Sequence, residues 1–249
     1  MEKRKEREKA FHDVVYEDHS RWKVVDKYYA ITAGRERFYQ DFVRRHSPGR
    51  RVLDYGCGQG WSSLALAELG ARVSGIDISD TGIAHAQEAA RARNLVIDFR
   101  TMDAETLEFP DCSFDLVCGT AILHHLDLRR AFAEVARVLQ PGGVAIFMEP
   151  LGHNPLINLY RRLTPQLRTV DEHPLTMADF AMAEAFFDRV DLRAYHLSTL
   201  AAVPFRRWPG IFRPVLAVLE RLDAGLFRTL PISRRYAWYA VAILHRQAA

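Results

Sequence analysis

Apolar residues recur along residues 51 to 149 in a fixed rhythm: a short apolar run, a turn bearing glycine or an acid, then a segment whose apolar positions fall three or four apart. RRVLDYGCGQG leads into SSLALAEL, ARVSGIDIS into DTGIAHAQEAARAR, LVIDFRTMD into a polar loop and FDLVCGTAI into LDLRRAFAEVARVL; GGVAIFMEP closes the series. Short runs bounded by turn residues predict buried strands, and the periodic segments between them predict helices. Their alternation implies crossover units, hence a parallel sheet with helices on both faces, an α/β fold. The helix after the fourth run is the clearest element. Leu128, Ala131, Phe132, Val135, Val138 and Leu139 share one face, Asp127 stands at the cap, and Pro141-Gly142-Gly143 is the expected stop. Such a stripe packs a core and carries no chemistry.

The flanks break the rhythm. Residues 2 to 45 read as a charged helical segment with aromatics at Phe11, Tyr16, Trp22, Tyr28, Tyr29, Phe38, Tyr39 and Phe42, a cover expected to lie across one end of the sheet. Prolines at 150, 155, 165 and 174 mark residues 150 to 175 as an insertion with too few periodic apolar positions for one crossover helix. MADFAMAEAFFDRV then predicts a helix, VDLRAYHLS a strand, residues 199 to 233 a second, apolar insertion, and YAWYAVAILHR a last strand. The expected organisation is one domain over 1–249: a helical cover (1–48), a core (50–150) and two insertions.

Composition narrows this only slightly. At about 150 residues per domain, 249 residues allow one large domain or one domain with insertions. With 49% hydrophobic and 26% charged residues the chain has material for a core and none of the bias of a disordered chain. The 34 basic and 31 acidic residues leave +3, too mild for a protein that wraps nucleic acid. Cys57, Cys112 and Cys118 lack paired spacing, which argues against a disulfide framework or a zinc site. The basic N-terminus is interrupted by acids and followed by no apolar stretch, and no apolar run approaches the roughly 18 to 20 residues that cross a bilayer. A soluble protein of the cytoplasm is expected.

Chemistry concentrates in Val52-Leu53-Asp54-Tyr55-Gly56-Cys57-Gly58-Gln59-Gly60, a strand running into a glycine-rich turn before a helix. Glycines there let the backbone approach a ligand, and the helix start offers unpaired N–H groups. The spacing is G-x-G-x-G, unlike the G-x-G-x-x-G of dinucleotide sites, and no Gly-Lys-Ser/Thr follows. Asp54 discriminates further: a carboxylate repels pyrophosphate and suits a ligand carrying an ammonium group. Asp77 ends the second strand, where a carboxylate can accept both hydroxyls of a ribose. Asp103 follows the third, where an amino group of a base could donate to it; a solvated loop aspartate is the alternative.

Together VLDYGCGQG, GIDIS, MDAETLEFPDCSFDLV, AILHHL and VLQPGGVAIFMEP resemble, in order, the motifs of the class I S-adenosylmethionine-dependent methyltransferases, over roughly residues 50 to 150. The resemblance implies a Rossmann-like, doubly wound seven-stranded sheet with an antiparallel last strand. DLRAYHLS and YAWYAVAILHR would be strands six and seven, with the second insertion inside the final hairpin. It implies S-adenosylmethionine as cofactor and S-adenosylhomocysteine as product. Gly56, Gly58 and Gly60 would lie against the methionine part, Asp54 near its amino group, Asp77 on the ribose, Ile78 on the adenine plane, Asp103 and Ala104 at the adenine edge and Thr120 near the methionine end. Tyr28 or Tyr29 would close over the cofactor carboxylate; packing into the core is the alternative for both.

A small-molecule acceptor is expected. The NPPY-type tetrapeptide of enzymes that methylate amino groups of nucleic acids is missing after strand four, where GTAILHH stands. His124, His125 and Glu149 are candidates for a base at the carboxyl edge of the sheet, with packing and capping as the alternative. His153 and His173 of the first insertion are candidate acceptor contacts, or parts of a surface loop. In the second insertion Ile211, Phe212, Val215, Leu216, Leu219, Leu222 and Leu226 fall near one helical face, with Arg213, Glu220, Arg221 and Asp223 on the other. A lid over an apolar acceptor, a homodimer surface, a membrane-surface helix over 205–230 and plain packing all fit that pattern. The expected activity is methyl transfer to a small hydrophobic or aromatic acceptor of natural-product, quinone or lipid-like type. A cofactor-binding regulatory or scaffold module is the alternative.

Overall fold

The computed structural model describes residues 2–17, 30–165, 169 and 171–248. Helix α1 (Glu2–Glu17) and helix α2 (Ala33–His46) precede strand β1 (Arg51–Tyr55), helix α3 (Trp61–Glu68), strand β2 (Arg72–Asp77), helix α4 (Asp80–Ala92) and strand β3 (Asp98–Thr101). Strand β4 (Phe114–Thr120), helix α5 (Leu128–Val138) and strand β5 (Leu139–Pro150) follow. After them come helix α6 (Pro155–Leu163), helix α7 (Met177–Met182), strand β6 (Arg189–Tyr195), helix α8 (Pro209–Thr229) and strand β7 (Tyr239–His245). Tyr28 and Tyr29, and Trp22 with them, lie outside the described residues.

Seven strands form one sheet in the order β3-β2-β1-β4-β5-β7-β6, with β7 antiparallel to both β5 and β6 and the other pairs parallel. The order reverses between β1 and β4, and at such a switch point the chain leaves two neighbouring strands in opposite directions and opens a crevice at their carboxyl ends. Strands β1, β4 and β7 read as nearly unbroken buried runs because helices cover both faces. One core cluster joins Leu53, Val117 and Phe147 to the α5 stripe; another joins Tyr39 and Val43 of α2 to Val52, Leu116, Ile146 and Val241 on the sheet.

Helix α5 buries Leu128, Ala131, Phe132, Val135 and Val138, and the Asp127 side chain accepts from the Arg130 N–H at 3.3 Å. Its stop differs from expectation. The helix ends at Val138, and Pro141-Gly142-Gly143 lies inside β5 as an excursion: Phe114 pairs with Leu139 but Leu116 with Val144, and Gly142 takes φ 77°. Proline and glycine are tolerated there because the excursion leaves the ladder.

The helix expected over 177–190 is also shorter. It ends at Met182, a single 3-10 turn occupies Ala183–Ala185, and β6 already begins at Arg189. Phe180 and Ala183 are buried against α5 and the sheet while the next residues turn to enter the edge strand. The first insertion, in turn, contains α6. Asn154 accepts from the Leu156 and Ile157 N–H groups, both at 3.1 Å, and Pro155 occupies the first turn, where its missing N–H costs nothing. The second insertion does sit inside the β6–β7 hairpin, as two 3-10 segments (Ser198–Phe205 and Pro231–Tyr236) on either side of α8.

Candidate active site

The β1 strand delivers Asp54 and Tyr55 to the switch point and then turns through Gly56, Gly58 and Gly60, whose φ values of 77°, 52° and 81° fall in the left-handed region. A side chain at Gly56 would meet Ile122 at 2.8 Å, and one at Gly58 would meet the Tyr16 hydroxyl at 2.7 Å. The loop is therefore closed in by β4's exit on one side and by α1 on the other. Asp77 at the end of β2 accepts from the Gly58 N–H at 2.8 Å and from the Ser79 N–H at 2.9 Å, so the second strand's carboxylate fixes the loop of the first. Ser79 in turn caps α4, accepting from the Gly82 N–H.

Both carboxylates are buried, and burial disfavours their charged forms. Desolvation pushes Asp54 up to about 6, although the Ser63 hydroxyl donates to it at 2.5 Å. Asp77 is raised as well, burial outweighing the Ser79 and Gly58 N–H bonds.

A cleft runs along the carboxyl ends of these strands, lined by Gly56, Ile76, Asp77, Ile78, Met102, Asp103, Ala104, Thr120, Ile122 and His125, and roofed by Arg4, Lys5, Glu8, His12 and Tyr16 of α1. Ion pairs hold the roof: Arg4 to Glu105, Lys5 to Asp103 and, at 3.1 Å, to Glu105. Glu8 lies 3.1 Å from His125 and 3.7 Å from His12. Burial, reinforced by His125, pushes His12 down to about 4. Burial also opposes charge on His125, but the Glu8 carboxylate outweighs it and the His125 pKa is raised. A second cavity of about 350 Å³ adjoins the first at Thr120; Tyr39, Val43, Trp61, Ala65, Leu66, Leu69 and Met148 give it a largely apolar lining, to which Glu36, Gln40, Arg44 and Ser62 add polar groups.

Residues 53–147 match the model of a methyltransferase domain family. The chain is 33% identical over 120 residues to the ubiquinone biosynthesis O-methyltransferase of Rhizobium leguminosarum, covering 46% of this chain and 48% of that one. It is 32% identical over 183 residues to the 2-methyl-6-phytyl-1,4-hydroquinone methyltransferase of Synechocystis, covering 67% and 56%. Residues 53–147 form a domain of the class I S-adenosylmethionine-dependent methyltransferase family. Among solved structures, phosphoethanolamine N-methyltransferase 2 of Haemonchus contortus with S-adenosylhomocysteine has a TM-score of 0.64 at 19% identity, over 93% of this chain and 59% of that chain, a likeness of fold. The alignments span about half the length of the curated relatives.

The cleft combines acidic and apolar groups, a lining that suits the cationic and planar parts of S-adenosylmethionine. It presents the carboxylates of Asp77 and Asp103 beside the apolar side chains of Ile76, Ile78, Met102 and Ala104. Gly56, Asp77, Ile78, Asp103, Ala104, Thr120 and His125 line the cleft together. Asp54 lies beneath the loop, bonded to Ser63.

His124 and Glu149 are buried beside it and serve each other. With its proton on Nδ1, His124 donates to Glu149 Oε2 at 2.8 Å, while Glu149 Oε1 accepts from the Ile122 and Leu123 N–H groups, both at 2.9 Å. Glu149 thus ties β5 to the turn leaving β4. The His173 side chain is exposed, and its N–H donates to the His124 carbonyl at 3.1 Å. His153 lines a different surface cavity with Thr176, Ile232 and Arg235.

Sequence reading did not single out the α1 residues of the roof. Their pattern of alternating charge carries no apolar stripe and reads as a solvated helix, and the acids that pair with them lie about a hundred residues away in sequence. Nor did it single out Arg35. This guanidinium is 2% exposed, stacked on the Tyr239 ring at 3.7 Å, with its Nε and Nη1 unpartnered among the described residues.

Proposed function

We propose that the protein transfers the methyl group of S-adenosylmethionine to a small apolar acceptor. One observation carries this reading: Thr120, at the exit of β4, lines both the carboxylate-rich cleft and the adjoining apolar cavity. A cofactor and an acceptor seated in those two spaces would meet at that residue. When bound, S-adenosylmethionine supplies a methyl group already activated by a positive sulfur, so the chain's task is alignment. Reacting atoms held about 3 to 3.5 Å apart account for much of the rate gain in such reactions.

Asp77 would accept from the ribose hydroxyls while its present N–H bonds keep the glycine loop in place, and Asp103 with Ala104 would hold the adenine edge. Asp54 would face the ammonium end of the cofactor, which favours the ionised carboxylate that burial opposes. Tyr16, against Gly58, would cover the methionine end of the cofactor from α1, whereas Tyr28 and Tyr29 lie outside the described residues. Of the base candidates, His125 is the one that lines the cleft, and Glu8 orients it; it would accept the proton of an acceptor hydroxyl. Glu149 and His124 would position the turn that carries it.

An apolar, phenolic acceptor is supported by the lining of the second cavity and by the likeness to a hydroquinone methyltransferase. Met148 lines that cavity and also packs against the cluster formed by the second insertion, so an acceptor there is bounded by the insertion.

Titration calorimetry with S-adenosylhomocysteine should show binding in the wild type and at least about tenfold weaker binding in Asp77→Ala, the loss of one charge-assisted contact. Equal affinity in the two proteins removes the ribose assignment. Transfer of labelled methyl to a panel of substituted hydroquinones should follow. The seat of α1 over the cleft favours a second reading, a cofactor-binding module without transfer, and turnover on any acceptor excludes it.

A further inference from the structure

Helices α6 and α8 bury one face each and leave another bare. Phe212, Val215, Leu216 and Leu219 of α8 pack with Ile157 of α6, Trp238 and Tyr239 into one cluster at the carboxyl end of the sheet. The Asn154 side chain ties the start of α6 to the end of the second insertion, donating to the Tyr236 carbonyl at 2.8 Å. The two helices therefore share one layer. Outside it, Ile211, Val218 and Leu222 are 51%, 61% and 48% exposed. At about 100° per residue these three form a line along α8. Leu156, Leu159 and Leu163 do the same along α6. Of the sixteen large apolar side chains that stand exposed among the described residues, eleven lie in 156–163 and 205–236.

The charge of this face is predominantly positive. Residues 199–236 contain seven arginines and two acids, Glu220 and Asp223, in a chain whose net charge is only +3. Asp223 is buried and bonded internally, which leaves Glu220. Arg221 and Arg228 border the exposed line of α8, and Trp208 is exposed at its start.

We propose that this face docks on the surface of an anionic lipid bilayer, with the apolar lines at the acyl boundary and the arginines against lipid phosphates. Helices with an apolar line, a basic border and an aromatic at the end suit the interfacial region. No helix among the described residues is long and apolar enough to cross a membrane, so the contact is peripheral. A second copy of the chain is a poorer occupant, because a two-fold contact would set the same arginines against themselves. The inference rests on the reading of an apolar acceptor: docked this way, the insertion that bounds the acceptor cavity faces the phase in which such a molecule dissolves.

Vesicle flotation tests it, using the full chain with phosphatidylcholine vesicles and with phosphatidylcholine–phosphatidylglycerol vesicles. The wild type should float with the anionic vesicles, less in high salt, and stay in solution with the neutral ones. Ile211→Glu with Val218→Glu and Leu222→Glu should lower the partition coefficient at least about tenfold. Arg221→Glu with Arg228→Glu, which leaves the apolar lines intact, should lower it too. S-adenosylhomocysteine binding measured on the same proteins should be unchanged, which separates loss of docking from loss of fold and from failure of the methyltransferase reading. Wild type that stays in solution with both vesicles, or a triple variant that floats as well as wild type, overturns the proposal. So does a wild-type dimer that the triple variant splits without any flotation.

Discussion

Asp54 shows how much one residue can be asked to do against its own stability. Its carboxylate is buried against the hydroxyl and the backbone N–H of Ser63, and desolvation outweighs both, pushing its pKa from 3.8 to about 6. A folded pKa above the unfolded one means that the folded state binds the proton more tightly. The associated stability is present in full below about pH 4 and is lost as pH rises to about 6. Asparagine keeps an acceptor for Ser63 and removes the charge. Asp54→Asn is expected to be more stable than wild type at pH 8, by on the order of 3 kcal/mol at about 1.4 kcal/mol per pKa unit, and to show no gain near pH 3.5. Urea midpoints at the two pH values check it. The same variant should bind S-adenosylhomocysteine less tightly, because the ligand's ammonium loses its counter-charge. That the residue would matter was legible from its place before the glycines; that it is sealed beneath the loop against Ser63 was not.

Among the elements, α8 separates what periodicity can and cannot tell. The apolar set read from the sequence splits in the structure into a half-buried line (Phe212, Val215, Leu216, Leu219) and an exposed one (Ile211, Val218, Leu222), because a helix at the rim meets the body on one flank only. Asp223, assigned by its charge to the solvent face, sits at 4% exposure in the buried one. The reason is local. The chain leaving β6 turns through His196 at φ 66° and starts a 3-10 segment whose first N–H groups have no partner of their own. Asp223 supplies it: Leu197, Ser198 and Thr199 donate their N–H groups at 3.0, 2.7 and 3.3 Å, and the Ser198 hydroxyl donates at 2.6 Å. Asp223→Ala should destabilise the protein by about 2 to 4 kcal/mol, since several buried donors lose their acceptor at once, and Asp223→Asn by less. Denaturant midpoints of the pair report it. Helix α5 is the opposite case, its cap and stripe both found where the sequence put them, because its whole apolar face meets one surface.

For the molecule as a whole, the placing of α1 is the largest consequence of tertiary structure. With the helix seated, the cleft keeps about 100 Å³ of free space. Clefts that hold ligands of drug-like size run to roughly 300 to 1,000 Å³, so the helix has to lift before the cofactor enters. Its ties are ion pairs to Asp103 and Glu105 at the adenine edge, in competition with the ligand expected there. Arg4→Ala with Lys5→Ala should therefore raise the association rate of S-adenosylhomocysteine several-fold by populating the open state. Stopped-flow measurement decides, and an unchanged rate means that entry does not pass beneath the helix.

By itself the sequence determined the strand–helix alternation, the glycine turn and the acids at three strand ends, all of which depend on spacing within one segment. Tertiary structure decided what depends on distant partners. It bonded Asp77 to the Gly58 N–H and Glu149 to the turn after β4, laid Lys5 over Asp103, and left His153 and His173 out of the cleft's lining. The physical reason is range: hydrophobic period and turn chemistry act over a few residues, whereas ion pairs and the packing of a covering helix are settled only when the closed sheet brings remote segments together.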